Sequence, residues 1–377
     1  MTAAPAVSRD QVLAYRARAQ GLDGAHGATD PAALAIFDLG VQDSPAGTAA
    51  HSVAVRLAER PSDPDDLRDG RRWLTTWAIR GAPHVFRVGD VRAMACATWP
   101  GDAADAAARL AGYGGGLRKR DEDALDALRT AAEGMRRVVT DTMAKGDASR
   151  AATEALPGLC AEPCRSCGTT HISDQLMRLA TLPAGLALDP DAAPVTLRPI
   201  PGWAGVPDHQ EGARDLVRAY LALHGPATAK EVAAYLQTTQ APVKAVWPDD
   251  LAEVTVDGRR AWLPEEHLDD LVDAPAPELV RLLPRSDPWL MARDRELLVP
   301  DAAHRKAMWP TLGFPSAVLV NGEVAGTWRT KATARRLDVN VSLFTPITSA
   351  TGQRIEEEAG LVARLRGLPD VRVRIDA

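Results

Sequence analysis

What the chain lacks narrows it first. None of its apolar runs approaches the roughly 20 residues needed to span a bilayer as a helix, so no membrane partner is expected. The opening stretch MTAAPAVSRDQVLAYRARAQ has no hydrophobic signal core, which predicts a cytoplasmic location. Nothing in it resembles a P-loop, a Rossmann glycine fingerprint or a Ser-His-Asp set, so a nucleotide cofactor is not indicated. A basic excess is missing too: the net charge is −6 and the pI about 5.8, whereas dedicated DNA-binding proteins are usually basic. Any DNA affinity from bulk electrostatics is then modest and salt-sensitive. The distribution softens this, because residues 278–377 hold 15 Lys+Arg against 12 Asp+Glu while the rest is acidic.

What is present begins with a composition of 46% hydrophobic and 25% charged residues, that of a globular protein. A length of 377 residues predicts two to four domains. The most legible stretch is 214–271. Residues 214–223 carry apolar side chains at helical spacing, and His224-Gly225-Pro226 breaks the chain. Thr228 stands three before Glu231, a capping box for a second helix over 229–236. A third helix is expected near 241–246. Apolar/charged alternation over 251–256, then Asp257-Gly258, then 259–263 predicts a hairpin. Three short helices followed by a two-stranded wing form the helix-turn-helix variant that docks on duplex DNA. Winged helices also serve as protein-protein modules, and the acidic balance suits such a scaffold.

Upstream, Ser8 and Gln11 form a capping box for a helix over 8–22. Asp30-Pro31 starts another through about 39. A loop over 40–45 is followed by helices over 46–59 and 63–77 and a strand within 79–87. Gly112-Tyr113-Gly114-Gly115-Gly116 reads as a flexible turn. Helices follow over 121–143, 148–156 and 172–182, and a strand over 197–200. After a linker at 273–277 the pattern turns to β. Strands over 317–320 and 323–328 flank Asn321-Gly322, a type I′ hairpin signal. A strand over 339–344, a helix over 355–366 and a strand over 371–375 complete a small barrel or sheet. The expected fold class is α+β, mainly helical: three tandem winged-helix modules followed by a small C-terminal β-barrel. The modules are placed at 1–104, 105–205 (with the cysteine cluster) and 206–274, and the barrel with its terminal helix at 275–377.

Three of the four cysteines cluster. Cys160, Cys164, Cys167 and His171 supply enough soft ligands for tetrahedral zinc, and Cys164-x2-Cys167 has the form of a ligand knuckle. In a cytoplasmic chain such clustering favours metal over disulfide. A structural zinc, a reduced structural cluster and a redox role all remain open. Cys96 stands alone, as a core residue does.

Four segments carry a resemblance: Arg80-Gly81-Ala82-Pro83-His84; His224-Gly225-Pro226-Ala227-Thr228; Asp287-Pro288-Trp289-Leu290 with Arg293-Asp294-Arg295; and Gly322-Glu323-Val324-Ala325-Gly326-Thr327-Trp328-Arg329. With them the chain resembles, over nearly its whole length, the tandem winged-helix family of bacterial DNA glycosylases that act on bulky alkylated or crosslinked purines. The resemblance implies a concave channel for double-stranded DNA, no required cofactor, and excision without fully flipping the lesion into a tight pocket. It also implies a Gln-x-Gln or Gln-x-Asp element that positions the hydrolytic water. Here the element reads Gln42-Asp43-Ser44: Gln42 fits the first position and Ser44 stands at the second. Hydrolysis of an N-glycosidic bond needs an oriented water and stabilisation of a cationic sugar. Asp43 supplies a carboxylate for either task, or caps the following helix. Candidate DNA contacts are Arg80, since guanidinium matches phosphate bidentately, His84, Arg329, Arg335 and Arg336. Each also has a bland reading: a surface ion pair for Arg80, a satisfied structural residue for His84, solvated charges for the rest. The function expected is glycosylase activity on bulky modified purines; a non-catalytic DNA-binding regulator or damage sensor is the alternative.

Overall fold

The computed structural model describes residues 4–61, 67–164 and 167–376. Local chemistry sets many of its elements. Ser8 and Gln11 close a reciprocal capping box on the helix Arg9–Ala19, and Thr228 and Glu231 do the same for Ala229–Leu236. That second helix sits between Ala213–His224 and Gln240–Ala245, and the hairpin Leu251–Val256/Arg259–Pro264 follows. Asp257 and Gly258 at its tip both lie at positive φ, as a type I′ turn requires. Two further pairings widen this hairpin: Ala227 bridges to Trp262, and Ala6–Val7 adds a parallel strand along Leu251–Val256.

A six-stranded sheet draws strands from both the 1–104 and the 105–205 segments. Its order is Val41–Gln42, Pro83–Arg87, Trp73–Trp77, Leu186–Leu188, Thr196–Pro199 and Met143–Ala144. Several expectations are corrected here. The helix expected over 63–77 lies partly outside the described residues, and its end is the strand Trp73–Trp77, rich in aromatic and β-branched side chains that suit a pleated surface. The helix from Asp30 is two 3-10 turns, Pro31–Ala33 and Ala35–Asp38. The glycine-rich turn at 112–116 lies inside a helix, Ala111–Lys119. The reason is tertiary: a Cβ on Gly114 would meet the Ala107 carbonyl oxygen at 2.1 Å, so glycine there lets Ala111–Lys119 lie directly against Ala103–Arg109.

The C-terminal region is a five-stranded sheet in the order Val280–Leu283, Ser316–Val320, Glu323–Ala332, Arg336–Leu343, Asp370–Asp376. The first three pairings are antiparallel and the last is parallel. In place of the expected closed barrel the sheet is open: among the described residues no pairing joins Val280–Leu283 to Asp370–Asp376. The parallel last strand needs a crossover, which the helix Ser349–Leu365 supplies. Ile355, Ala359 and Val362 pack it over Leu282, Val318 and Val339.

Two buried ion pairs fasten this region to the N-terminal helices. Arg56 donates to both carboxylate oxygens of Asp287 at 2.8 Å, and neither side chain is exposed. Arg16 donates to both oxygens of Asp294 at 3.2 and 2.6 Å and also to the His224 carbonyl. Trp289, between these carboxylates, is wholly buried. No helix among the described residues is long and apolar enough to cross a membrane.

Candidate active site

Three of the sequence-predicted residues meet at one edge of the six-stranded sheet. The expected loop at 40–45 begins as the short strand Val41–Gln42, which pairs antiparallel with Pro83–Arg87 so that Gln42 stands opposite His84. Arg80 lies in the turn just before that strand, at φ 60° and ψ 19°, a left-handed conformation that costs a non-glycine residue of order 1 kcal/mol. The turn aims the guanidinium inward. Arg80 donates to Gln42 Oε1 at 3.1 Å and to the Tyr235 carbonyl at 2.8 Å, contacts Met291 Sδ at 3.4 Å, and lies 5.3 Å from the Tyr235 ring centroid. A guanidinium only donates, so this bond fixes which end of the Gln42 carboxamide is oxygen. Among the described residues the Gln42 Nε2 takes no hydrogen-bond partner, and Gln42 is one of the residues lining a narrow cleft. Burial, with Arg293 nearby, pushes the Arg80 pKa down to about 10.

His84 is 2% exposed. Its Nδ1 is 2.9 Å from the Ala82 carbonyl, which fixes that nitrogen as the protonated one. Lost hydration drives its pKa down to about 3. The ring is then neutral and no general acid, its one N–H being committed to the Ala82 carbonyl. Gln42, His84, Tyr235, Ser286 and Met291 line a cleft too narrow for a purine.

Asp43 faces elsewhere. Its Oδ1 accepts from the Ala49 N–H at 2.9 Å, at the start of the helix Thr48–Ala54, and from Thr48 Oγ1 at 3.4 Å. Burial raises its pKa against these bonds. Ser44 contributes its carbonyl to Arg285 Nε at 3.4 Å. Ser286 Oγ reaches the Gln42 carbonyl at 3.3 Å and Thr48 Oγ1 at 2.7 Å, tying the 42–48 segment to the C-terminal region.

The other predicted residues lie apart. Arg329 donates to the Gly313 carbonyl at 2.7 Å, and Arg336 pairs with Asp338 at 2.9 Å. The Arg335 carbonyl accepts from the Asp370 N–H at 3.2 Å, at the start of the parallel strand Asp370–Asp376. No contact among the described residues joins these three to Gln42. Trp328 is core: its indole N–H reaches the Leu283 and Ala317 carbonyls. Sequence reasoning missed Tyr235, Ser286 and Met291 as members of the site. Ser286 and Met291 flank the quoted segment Asp287-Pro288-Trp289-Leu290, where a signal was within reach, and Tyr235 lies in no quoted segment.

The cysteine group divides. Cys164, Cys167 and His171 bring ligand atoms within 4.8 Å of one another on the hairpin Ala161–Cys164/Thr169–Ile172. Cys160 does not join them. It is buried in the core beside Ala127, and burial pushes its thiol up to about 11.

The DNA glycosylase AlkZ-like family matches residues 38–365, a span that takes in Gln42, Arg80 and His84 and both buried ion-pair carboxylates. The chain belongs to this family. An interstrand DNA cross-link repair glycosylase of Streptomyces sahachiroi is 31% identical over 183 residues, 46% of this chain and 48% of that protein. The match therefore spans about half the length of that relative. The solved structure of Streptomyces sahachiroi DNA glycosylase AlkZ has a TM-score of 0.75 with this one, covering 98% of this chain and 100% of that chain at 22% identity. That solved structure shares the fold, and the Gln42 segment lies within the residues the family matches.

Proposed function

We propose that this protein is a DNA glycosylase that hydrolyses the N-glycosidic bond of bulky alkylated or crosslinked purines in double-stranded DNA. The observation that carries the reading is the Arg80–Gln42 bond, which holds one carboxamide in a single orientation in the lining of a narrow cleft. Gln42 then orients the attacking water, with Ser44 at the second position of the same element. Asp43 is a positioning residue: its carboxylate anchors the loop to the helix Thr48–Ala54. A purine alkylated at N7 already carries positive charge and leaves as a neutral base, so the reaction needs no strong general acid. A neutral His84 suits that chemistry. The narrow cleft suits a lesion attacked from the groove rather than one enclosed in a pocket. The helix–helix–helix–hairpin order over 213–264 supports a winged-helix reading of that module, and with it duplex binding by a protein of the cytoplasm.

The experiment is release of the base from duplex DNA carrying N7-alkylated guanine. Gln42→Ala is expected to reduce single-turnover release by about 100-fold or more, in the range of general acid–base and water-orienting groups. Asp43→Asn is expected to cost less, and Ser44→Gln to raise the rate. Full release by Gln42→Ala would overturn the assignment. No release by the native chain, with salt-sensitive duplex binding retained, would make it a DNA-binding protein without chemistry.

A further inference from the structure

We propose that Cys164, Cys167 and His171 bind one zinc ion, with a water as fourth ligand and Cys160 excluded. The three residues come from one hairpin. Cys164 ends the first strand, Cys167 lies in the connecting loop and His171 is in the second strand, directly opposite Glu162. Their ligand atoms lie within 4.8 Å of one another. Zinc at a tetrahedral angle, with Zn–S about 2.3 Å and Zn–N about 2.0 Å, needs them roughly 3.5–3.8 Å apart, so a contraction of about 1 Å at an exposed loop completes the site.

The loop is already shaped for this. Gly168, directly after Cys167, lies at φ 68°, and its N–H bonds the Cys164 carbonyl at 2.9 Å. That bond folds the chain back so that both thiols lie on one side. His171 Nδ1 is held 2.7 Å from the Ile172 carbonyl. That is the outer bond a metal-ligating imidazole usually makes, and it leaves Nε2 for the ion. The three residues share an open cavity with Lys145, Ser149, Arg150 and Thr153. Cys160 is walled off by the packing of Ala127 and Ile172. Uptake of Zn²⁺ displaces the two thiol protons and leaves a neutral centre.

The test is metal content of the full chain, expressed with zinc and purified under reductant without chelator. One zinc per chain is expected, lost in Cys167→Ser and His171→Ala and kept in Cys160→Ala. Cobalt substituted for zinc should give a thiolate-to-metal charge-transfer band and tetrahedral visible bands, absent from Cys167→Ser. Cys167 is exposed, so that variant leaves the core intact. A native protein with neither zinc nor a cobalt spectrum would overturn the proposal. So would zinc that survives Cys167→Ser and His171→Ala.

Discussion

Four arginines lie mostly or wholly buried around the junction of the N-terminal helices with the 286–295 segment, and they fall into two kinds. Arg56 and Arg16 each face a carboxylate, Asp287 and Asp294. Arg80 and Arg293 face none: among the described residues neither forms an ion pair. Arg80 is surrounded by a carbonyl, a carboxamide, a thioether and a ring. The Arg293 Nε is buried without a partner, and burial lowers its pKa. Burying a charge costs several kcal/mol, and a carboxylate at good geometry offsets it. The paired arginines are therefore fasteners. The unpaired ones weaken the fold locally, and such groups concentrate at functional sites.

The largest expected effect comes from breaking a fastener. Asp287→Ala leaves the Arg56 charge buried and alone and should lower unfolding free energy by about 3–5 kcal/mol, read from urea or thermal denaturation. A loss under about 1 kcal/mol would put the two kinds of arginine on one footing. Arg80→Met should do the reverse. Stability stays within about 1 kcal/mol of native or rises, because an unpaired buried cation is replaced by an apolar chain of similar reach. Single-turnover excision falls at least tenfold, because Gln42 loses its orientation. A variant that loses stability but not rate would sink the functional reading of Arg80.

Histidine sharpens the contrast, because it meets the same burial by giving up its proton. His51, His84 and His224 are buried and neutral: lost hydration holds the first two down to about 4 and about 3, and His224 well below its ordinary value. Below the ordinary histidine value of about 6.5 the unfolded chain binds protons that the folded chain refuses. Stability is then full above about pH 6.5 and falls on acidification toward pH 4, by about 1.4 kcal/mol per pH unit for each histidine. Denaturation between pH 7.5 and 4.5 should show that slope, and His51→Gln should flatten it by one proton. A flat native profile would rule out neutral burial. The smallest effect belongs to the exposed pair Arg336–Asp338. Arg336→Ala should change stability by less than about 1 kcal/mol and, if it meets a phosphate, reduce the salt slope of DNA binding by about 1.

Sequence reasoning reached what neighbours along the chain decide. The capping boxes at Ser8 and Thr228 and the turns at Asp257-Gly258 and Asn321-Gly322 are set by residues within three positions, and all four stand in the structure. It failed where distant packing decides. The glycines of 112–116 read as a turn because the Ala107 backbone that Gly114 lies against is invisible locally. The barrel gave way to an open sheet because closure depends on strands separated by nearly the whole C-terminal region. Gln42, Arg80 and His84 were each picked out, but their meeting, and the part of Tyr235 and Ser286 in it, follows from pairings 38 to 244 residues apart. Cys160 looked like a ligand by spacing, but its thiol turns into the core against the Ala127 carbonyl, away from the other three.

The strand Ala6–Val7 pairs with residues 255 and 256, and this orders events at the ribosome. Ala6–Val7 must wait, unpaired, until residues 255 and 256 have followed it out. The helix behind it waits longer still, for Asp294 to reach Arg16. A product stalled between residues 224 and 294 therefore holds this helix by the carbonyls of Ala222 and His224 but leaves the Arg16 charge without its carboxylate, a half-docked element open to quality-control proteases.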